Sequence, residues 1–111
     1  MPDILDLEAY QGDDFERVLN FFEDDGTTPL DLTGYEAAAQ VRRWVDSDEP
    51  DAEFTIDDSA LDEGKVTLTL TGAETEVLSG AYSWDFQMED PGGKVRTYIA
   101  GKVTVKQGVT R

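Results

Sequence analysis

A chain of 111 residues with no cysteine, no histidine and a net charge of −16, from 25 acids against 9 bases, is the size of one domain and lacks the residues most catalytic and metal sites depend on. Disulfides and thiolate metal sites are excluded, and the usual general base is missing. So acidic a surface repels nucleic acid and anionic membranes and favours basic partners.

The N-terminus has neither a basic n-region nor a long apolar run, so no signal peptide is expected, and no stretch approaches the length of a membrane span. Residues 4–10 alternate weakly, with Leu5, Leu7 and Ala9 on one side, and read as a first strand. Gln11-Gly12-Asp13-Asp14 is a turn. Residues 15–23 fit either a helix capped by Asp13 or a strand. The run is short, aromatic and bounded by turns, which favours the strand. A loop follows through Pro29. Ala37, Ala38 and Ala39 favour a helix over residues 35–45, but the alternation of Tyr35, Ala37, Ala39 and Val41 against Glu36, Ala38, Gln40, Arg42 and Trp44 predicts a strand.

After an acidic loop over residues 46–51, Phe54 and Ile56 mark a short strand. Val66, Leu68 and Leu70 alternate with Thr67 and Thr69 in the next. Thr71 and Glu74 have capping-box spacing, which predicts one helical turn over residues 73–78. Tyr82, Trp84, Phe86 and Met88 then share one face of a long strand, with Ser83, Asp85, Gln87 and Glu89 opposite. Asp90-Pro91-Gly92-Gly93 is hairpin chemistry. The last strand, residues 95–106, turns Ile99, Val103 and Val105 inward. Gly101 falls on that inward row, where a bulge or a close backbone approach is expected.

About seven or eight short strands with frequent turns and one short helical turn predict an all-β, immunoglobulin-like antiparallel sandwich, with residues 1–111 as a single domain. Trp84 and its aromatic neighbours fill the space that a disulfide occupies in antibody domains.

Asp46, Asp48 and Asp51 could offer oxygen ligands to calcium, but EF-hand spacing is absent, and acid clusters arise by chance in so acidic a chain. The paired carboxylates lack a sugar-sized cleft. Ser59, Ser79 and Ser83 have no histidine to activate them, and Lys65 and Lys102 sit where exposure is expected. The Tyr82, Trp84 and Phe86 row reads as core, not as a stacking platform. No enzyme activity, no cofactor and no metal are expected. By alternation Arg42 and Trp44 leave the core face of one strand, and Arg96 and Tyr98 that of the last. These residue types are the ones found at interface hot spots, so the four are the candidate interface residues.

Leu32-Thr33-Gly34-Tyr35, Gln40-Val41-Arg42, Gly64-Lys65-Val66, Leu70-Thr71 with Glu74-Thr75, Gly80 to Asp85, Pro91-Gly92-Gly93 and Gly101 to Val105 occur in that order. The pattern resembles small virion structural domains of tailed phages. It is similar to the immunoglobulin-like N-terminal domain of baseplate upper proteins and to related short tail and neck proteins. The resemblance implies a β-sandwich that docks onto other virion proteins in many copies, as a tail, baseplate, neck or capsid-associated adaptor or decoration protein. It would be made in the host cytoplasm and located in the virion, without nucleic-acid or membrane partners. Two other readings follow from the acidity: a nucleic-acid mimic that inhibits a DNA-binding enzyme, and a calcium-dependent carbohydrate-binding module.

Overall fold

In a computed structural model describing residues 3–23, 25–44, 46 and 48–107, the period-two runs form strands. In chain order these are β1 (Asp3–Ile4), β2 (Leu7–Tyr10), β3 (Phe15–Asn20), β4 (Glu36–Arg42), β5 (Ala52–Glu53), β6 (Thr55–Asp57), β7 (Lys65–Leu70), β8 (Gly80–Glu89) and β9 (Val95–Lys106). A 3₁₀ turn spans Leu61–Glu63, and the short helix α1 spans Gly72–Glu76. The six-stranded sheet has the order β1-β9-β8-β4-β5, with β2 also on β9, and the three-stranded sheet has the order β3-β7-β6.

The chain is therefore an all-β, immunoglobulin-like sandwich, as its patterning predicts. The sandwich is antiparallel except at its N-terminal edge, where β1 and β2 run parallel to β9. The aromatic and β-branched residues of the ambiguous 15–23 segment put it on β7 as a strand, with Leu19 buried opposite Val66. The alanine-rich segment is β4, held centrally between β8 and β5; packing there outweighs alanine's helical propensity.

The core lies between the sheets. Val66, Leu68 and Leu70 of β7 face Tyr82, Trp84, Phe86 and Met88 of β8, with Ala39 and Val41 of β4 and Ile99, Val103 and Val105 of β9 in the same cluster. Phe21 stacks on Phe86 with ring centroids 5.6 Å apart, and Phe54 meets Trp84 edge-on at 5.7 Å. Phe54 sits where the chain changes sheets, from β5 paired with β4 to β6 paired with β7.

The other open side is closed by the N-terminal strands. Leu5 and Asp6 interrupt the parallel ladder without changing its register. Here the Leu5 carbonyl turns in and accepts the Trp84 indole N–H at 2.8 Å, while the Asp6 carboxylate accepts the Lys102 backbone N–H at 3.0 Å in place of a ladder bond. This crossing lies directly over Gly101. The expected close approach at Gly101 is thus real. The bulge in β9 lies elsewhere, where Phe86 pairs with Ile99 and Gln87 with Thr97.

Helix α1 forms where the capping box predicts it. Thr71 Oγ accepts the Glu74 N–H, and the Glu74 carboxylate accepts the Thr71 N–H. It is fixed to the β2–β3 turn by Thr75, which is 0% exposed: its hydroxyl accepts the Gly12 N–H at 3.0 Å and donates to the Asp13 carbonyl at 2.7 Å. Thr75→Val keeps the volume but leaves that N–H and carbonyl without partners. It is expected to lower unfolding free energy in urea by about 1–3 kcal/mol.

At the next corner the Tyr82 hydroxyl accepts the Ser79 N–H at 3.0 Å. This resembles the tyrosine corner of immunoglobulin domains, in which the second disulfide cysteine lies two residues further on. Trp84 stands at that place here. Arg43 clamps the corner. Its guanidinium lies 4.1 Å from the Tyr82 ring centroid and donates to the Ser79 and Ala81 carbonyls.

Candidate functional site: a groove on the outer sheet face

Outward positions of the six-stranded sheet are set by strand pairing. Ile4, Ala100, Asp85, Gln40 and Glu53 form one row across β1, β9, β8, β4 and β5. Lys102, Ser83 and Arg42 form the row on one side, and Thr97, Gln87 and Ala38 the row on the other. Small residues occupy the middle of this face, so a groove of about 400 Å³ opens between the longer side chains. Ser83, Asp85 and Gln87 line its floor along β8, Gln40 and Arg42 stand along β4, and the short Ala100 keeps the β9 side low beside the Gly101 backbone.

The polar groups of the β4 wall are linked. Arg42 Nη2 donates to Gln40 Oε1 at 2.9 Å, and Gln40 Nε2 donates to Glu53 Oε1 at 3.4 Å. Asp85 stands opposite Gln40, half-buried, and no hydrogen bond or ion pair among the described residues reaches its carboxylate. Burial raises its pKa above the ordinary 3.8, and the positive charge of Arg42 pulls the other way without cancelling the rise.

Several other acids have a structural task. The carboxylates of Asp14, Asp31, Asp51, Asp57 and Asp90 accept backbone N–H groups in turns and caps, at Gly72, Thr33, Arg43, Ser59 and Gly92 respectively. Asp25 does the same for Thr27 and Thr28, and the Thr28 hydroxyl also donates to it. Hydrogen bonds, led by that hydroxyl, lower the Asp25 pKa to about 2; those from the Thr33 and Ser59 side chains, with their N–H groups, lower Asp31 and Asp57. Among the described residues no group of three or more acids gathers to hold a metal ion. Ser47 of the 46–51 loop lies outside them.

The two kinds of carboxylate have opposite linkage. Asp25, Asp31 and Asp57, lowered on folding, stabilise the fold above the unfolded carboxylate range, and that contribution is lost as pH falls through their folded values. Asp85, raised on folding, favours the fold below its unfolded pKa and loses that contribution as pH rises through its folded value. Asp85→Asn is therefore expected to melt at or slightly above wild type at pH 7, with the gain vanishing near pH 3. Paired melting curves at the two pH values check this.

The four candidate interface residues are not brought together. Arg42 is in the groove. Arg96 pairs with Met88 and Arg42 with Ser83, positions five residues apart on β8 and so roughly 17 Å apart along the strand. Trp44 is 68% exposed but lies beyond the end of β4, where alternation no longer assigns a face. Tyr98 is a correction: it was expected to leave the core face, yet it packs against the core, 6.1 Å from Phe21 and edge-on. It is the extra residue of the β9 bulge, which breaks the alternation. Arg96 is a correction as well, since it pairs with the core-facing Met88; near the end of the strand it is nonetheless exposed, its guanidinium 5.9 Å from the Tyr98 ring centroid. Sequence reasoning passed over Asp85, Ser83 and Gln87 because β8's outward row looked like sheet decoration; only its pairing with β4 and β9 shows the groove.

No known family profile matches this chain, and no curated protein does. Among solved structures it is similar to the crystal structure of CopC from Methylosinus trichosporium OB3b. The TM-score is 0.51 at 14% identity, covering 99% of this chain and 88% of that one. At that identity the likeness supports the β-sandwich fold alone. The virion role drawn from the resemblance is corrected: the structural likeness found is to CopC, and nothing found points to a phage origin. The mimic and calcium-dependent sugar-binding readings are not carried further, since no comparison points to either.

Proposed function

We propose that this chain is a non-catalytic binding module that docks onto a polypeptide partner through the outer face of its six-stranded sheet. The groove over Asp85 carries this reading. It places a half-buried carboxylate and an arginine on a rigid central part of the sheet, and such a concave surface with a few convergent polar groups is the usual form of a binding site. The net charge of −16 disfavours nucleic acid and anionic membranes as partners. Catalysis is disfavoured because the groove offers no nucleophile paired with a base.

The test is site-specific photo-crosslinking in cells that naturally make the protein. One variant carries benzoylphenylalanine at Ala38, in the groove, and another carries it at Thr67, which pairs with Val18 and Asp57 on the other sheet. The expected result is one defined polypeptide adduct from the Ala38 variant and none from the Thr67 variant. Equal adducts from both positions, or none from Ala38, would place docking elsewhere.

A further inference from the structure

Resting on that reading of the face, we infer that the groove is a receptor for an arginine side chain of the partner polypeptide, with Asp85 as the carboxylate that receives it. Three observations converge. First, Asp85 is held half-buried with no donor to it among the described residues, and the charge of Arg42 offsets only part of the cost of burying it. Second, Asp85 and Glu53 of the central row are balanced by Arg42 and Lys102 of the neighbouring row, so the chain's overall charge of −16 decides for a cation over an anion. Arg42 does not close on Asp85, because its Nη2 is directed to Gln40, whose amide is directed on to Glu53. Third, the floor is shaped for a long, flat group. Ala38 and Ala100 leave room for an aliphatic stem, and Ser83 and Gln87 flank Asp85 with further acceptors at the two-residue strand spacing, about 7 Å on either side. A guanidinium is planar, weakly hydrated and grips a carboxylate with two parallel N–H bonds; an ammonium is a strongly hydrated point charge that gains less in a partly dry groove.

The test uses the whole protein, ¹⁵N-labelled, at pH 7 and physiological salt. It is titrated with three end-blocked peptides: Gly-Arg-Gly, Gly-Lys-Gly, and Gly-citrulline-Gly, whose central side chain is a neutral isostere of arginine. The arginine peptide is expected to shift amides in β4, around Asp85 and at Ala100 and Gly101, with saturation. The lysine peptide should bind more weakly and the citrulline peptide not at all. Asp85→Asn should weaken arginine-peptide binding roughly tenfold, the equivalent of one charge-assisted hydrogen-bonded contact. Asp62→Asn, which removes the same charge from an exposed turn, should change it less than about twofold. Equal weakening in the two variants, or shifts spread over the acidic loops, would mean diffuse attraction only and would overturn the inference. Equal affinity for lysine and arginine would overturn the guanidinium assignment. Polypeptide crosslinking from Ala38 that persists undiminished in Asp85→Asn would keep the docking face while sinking the arginine receptor. Specific arginine binding with no crosslink would do the reverse.

Discussion

Trp84→Ala is expected to cost about 3–5 kcal/mol, the range for deleting a large aromatic from a packed core. The side chain is 3% exposed at the centre of β8 and meets Phe54 edge-on. It also joins three parts of the chain: its own strand, the sheet-changing residue Phe54, and the N-terminal segment through the Leu5 carbonyl. Truncation opens a cavity between the sheets and leaves that carbonyl without its donor. In a domain of this size the loss corresponds to a fall in melting temperature of roughly 15–30 °C. Trp84→Phe separates the two effects. It keeps most of the apolar surface and removes the N–H, so about 1–3 kcal/mol of the loss should remain. A Trp84→Ala protein that melts within a degree or two of wild type would show that the two sheets are not joined through this residue.

Gly101→Ala is expected to cost about 3 kcal/mol or more, from forced repacking and the loss of the same hydrogen bond. A Cβ built there lies 2.0 Å from the Leu5 carbonyl oxygen and 2.7 Å from its carbon. Both atoms are backbone, held by the Leu5 N–H bond to Ala100 and by Asp6 on Lys102, so no side-chain rotation relieves the clash. The N-terminal segment must lift from β9. Hydrogen exchange should then speed up at Leu5 and in β2, and Trp84 fluorescence should shift to the red as its indole meets water. Gly92→Ala is the control. That glycine is exposed in the hairpin with only the Asp90 carboxylate nearby, and its change should stay within about 0.5 kcal/mol. Because Gly101→Ala and Trp84→Phe break one contact, their combined cost should be less than additive. Ordinary stability and unchanged exchange in Gly101→Ala would mean that the crossing over β9 is loose.

The candidate site was much less legible in the sequence than the core. Its residues are individually ordinary: an aspartate and a serine outward on one strand, a glutamine and an arginine on another, and an alanine on a third. Alternation says that each leaves the core, but not which strands lie side by side. The placing of Asp85 opposite Gln40 and Ala100 comes from the pairing of β8 between β4 and β9, across sequence separations no local pattern encodes. Tyr98 shows the same limit from the other side. One extra residue in β9 reverses the side on which an aromatic packs, and nothing near residues 97–99 marks that bulge.

The sequence by itself determined the strands, the capped helical turn, the hairpin at Asp90 and which face of β7 and β8 is buried. Each of these depends on interactions within a few residues: side-chain period, capping-box spacing, and the φ preferences of proline and glycine. It also marked Gly101 as a bulge or a close approach, because an inward position without a side chain needs something to fill it. Only the tertiary structure decided that the filler is the Leu5 carbonyl on its way to Trp84, that the first strands run parallel to the last, and that Asp85 lies half-buried in a groove. These depend on strand order and register, which minimise exposed apolar area and unpaired backbone over the whole chain at once and so cannot be read from any one segment.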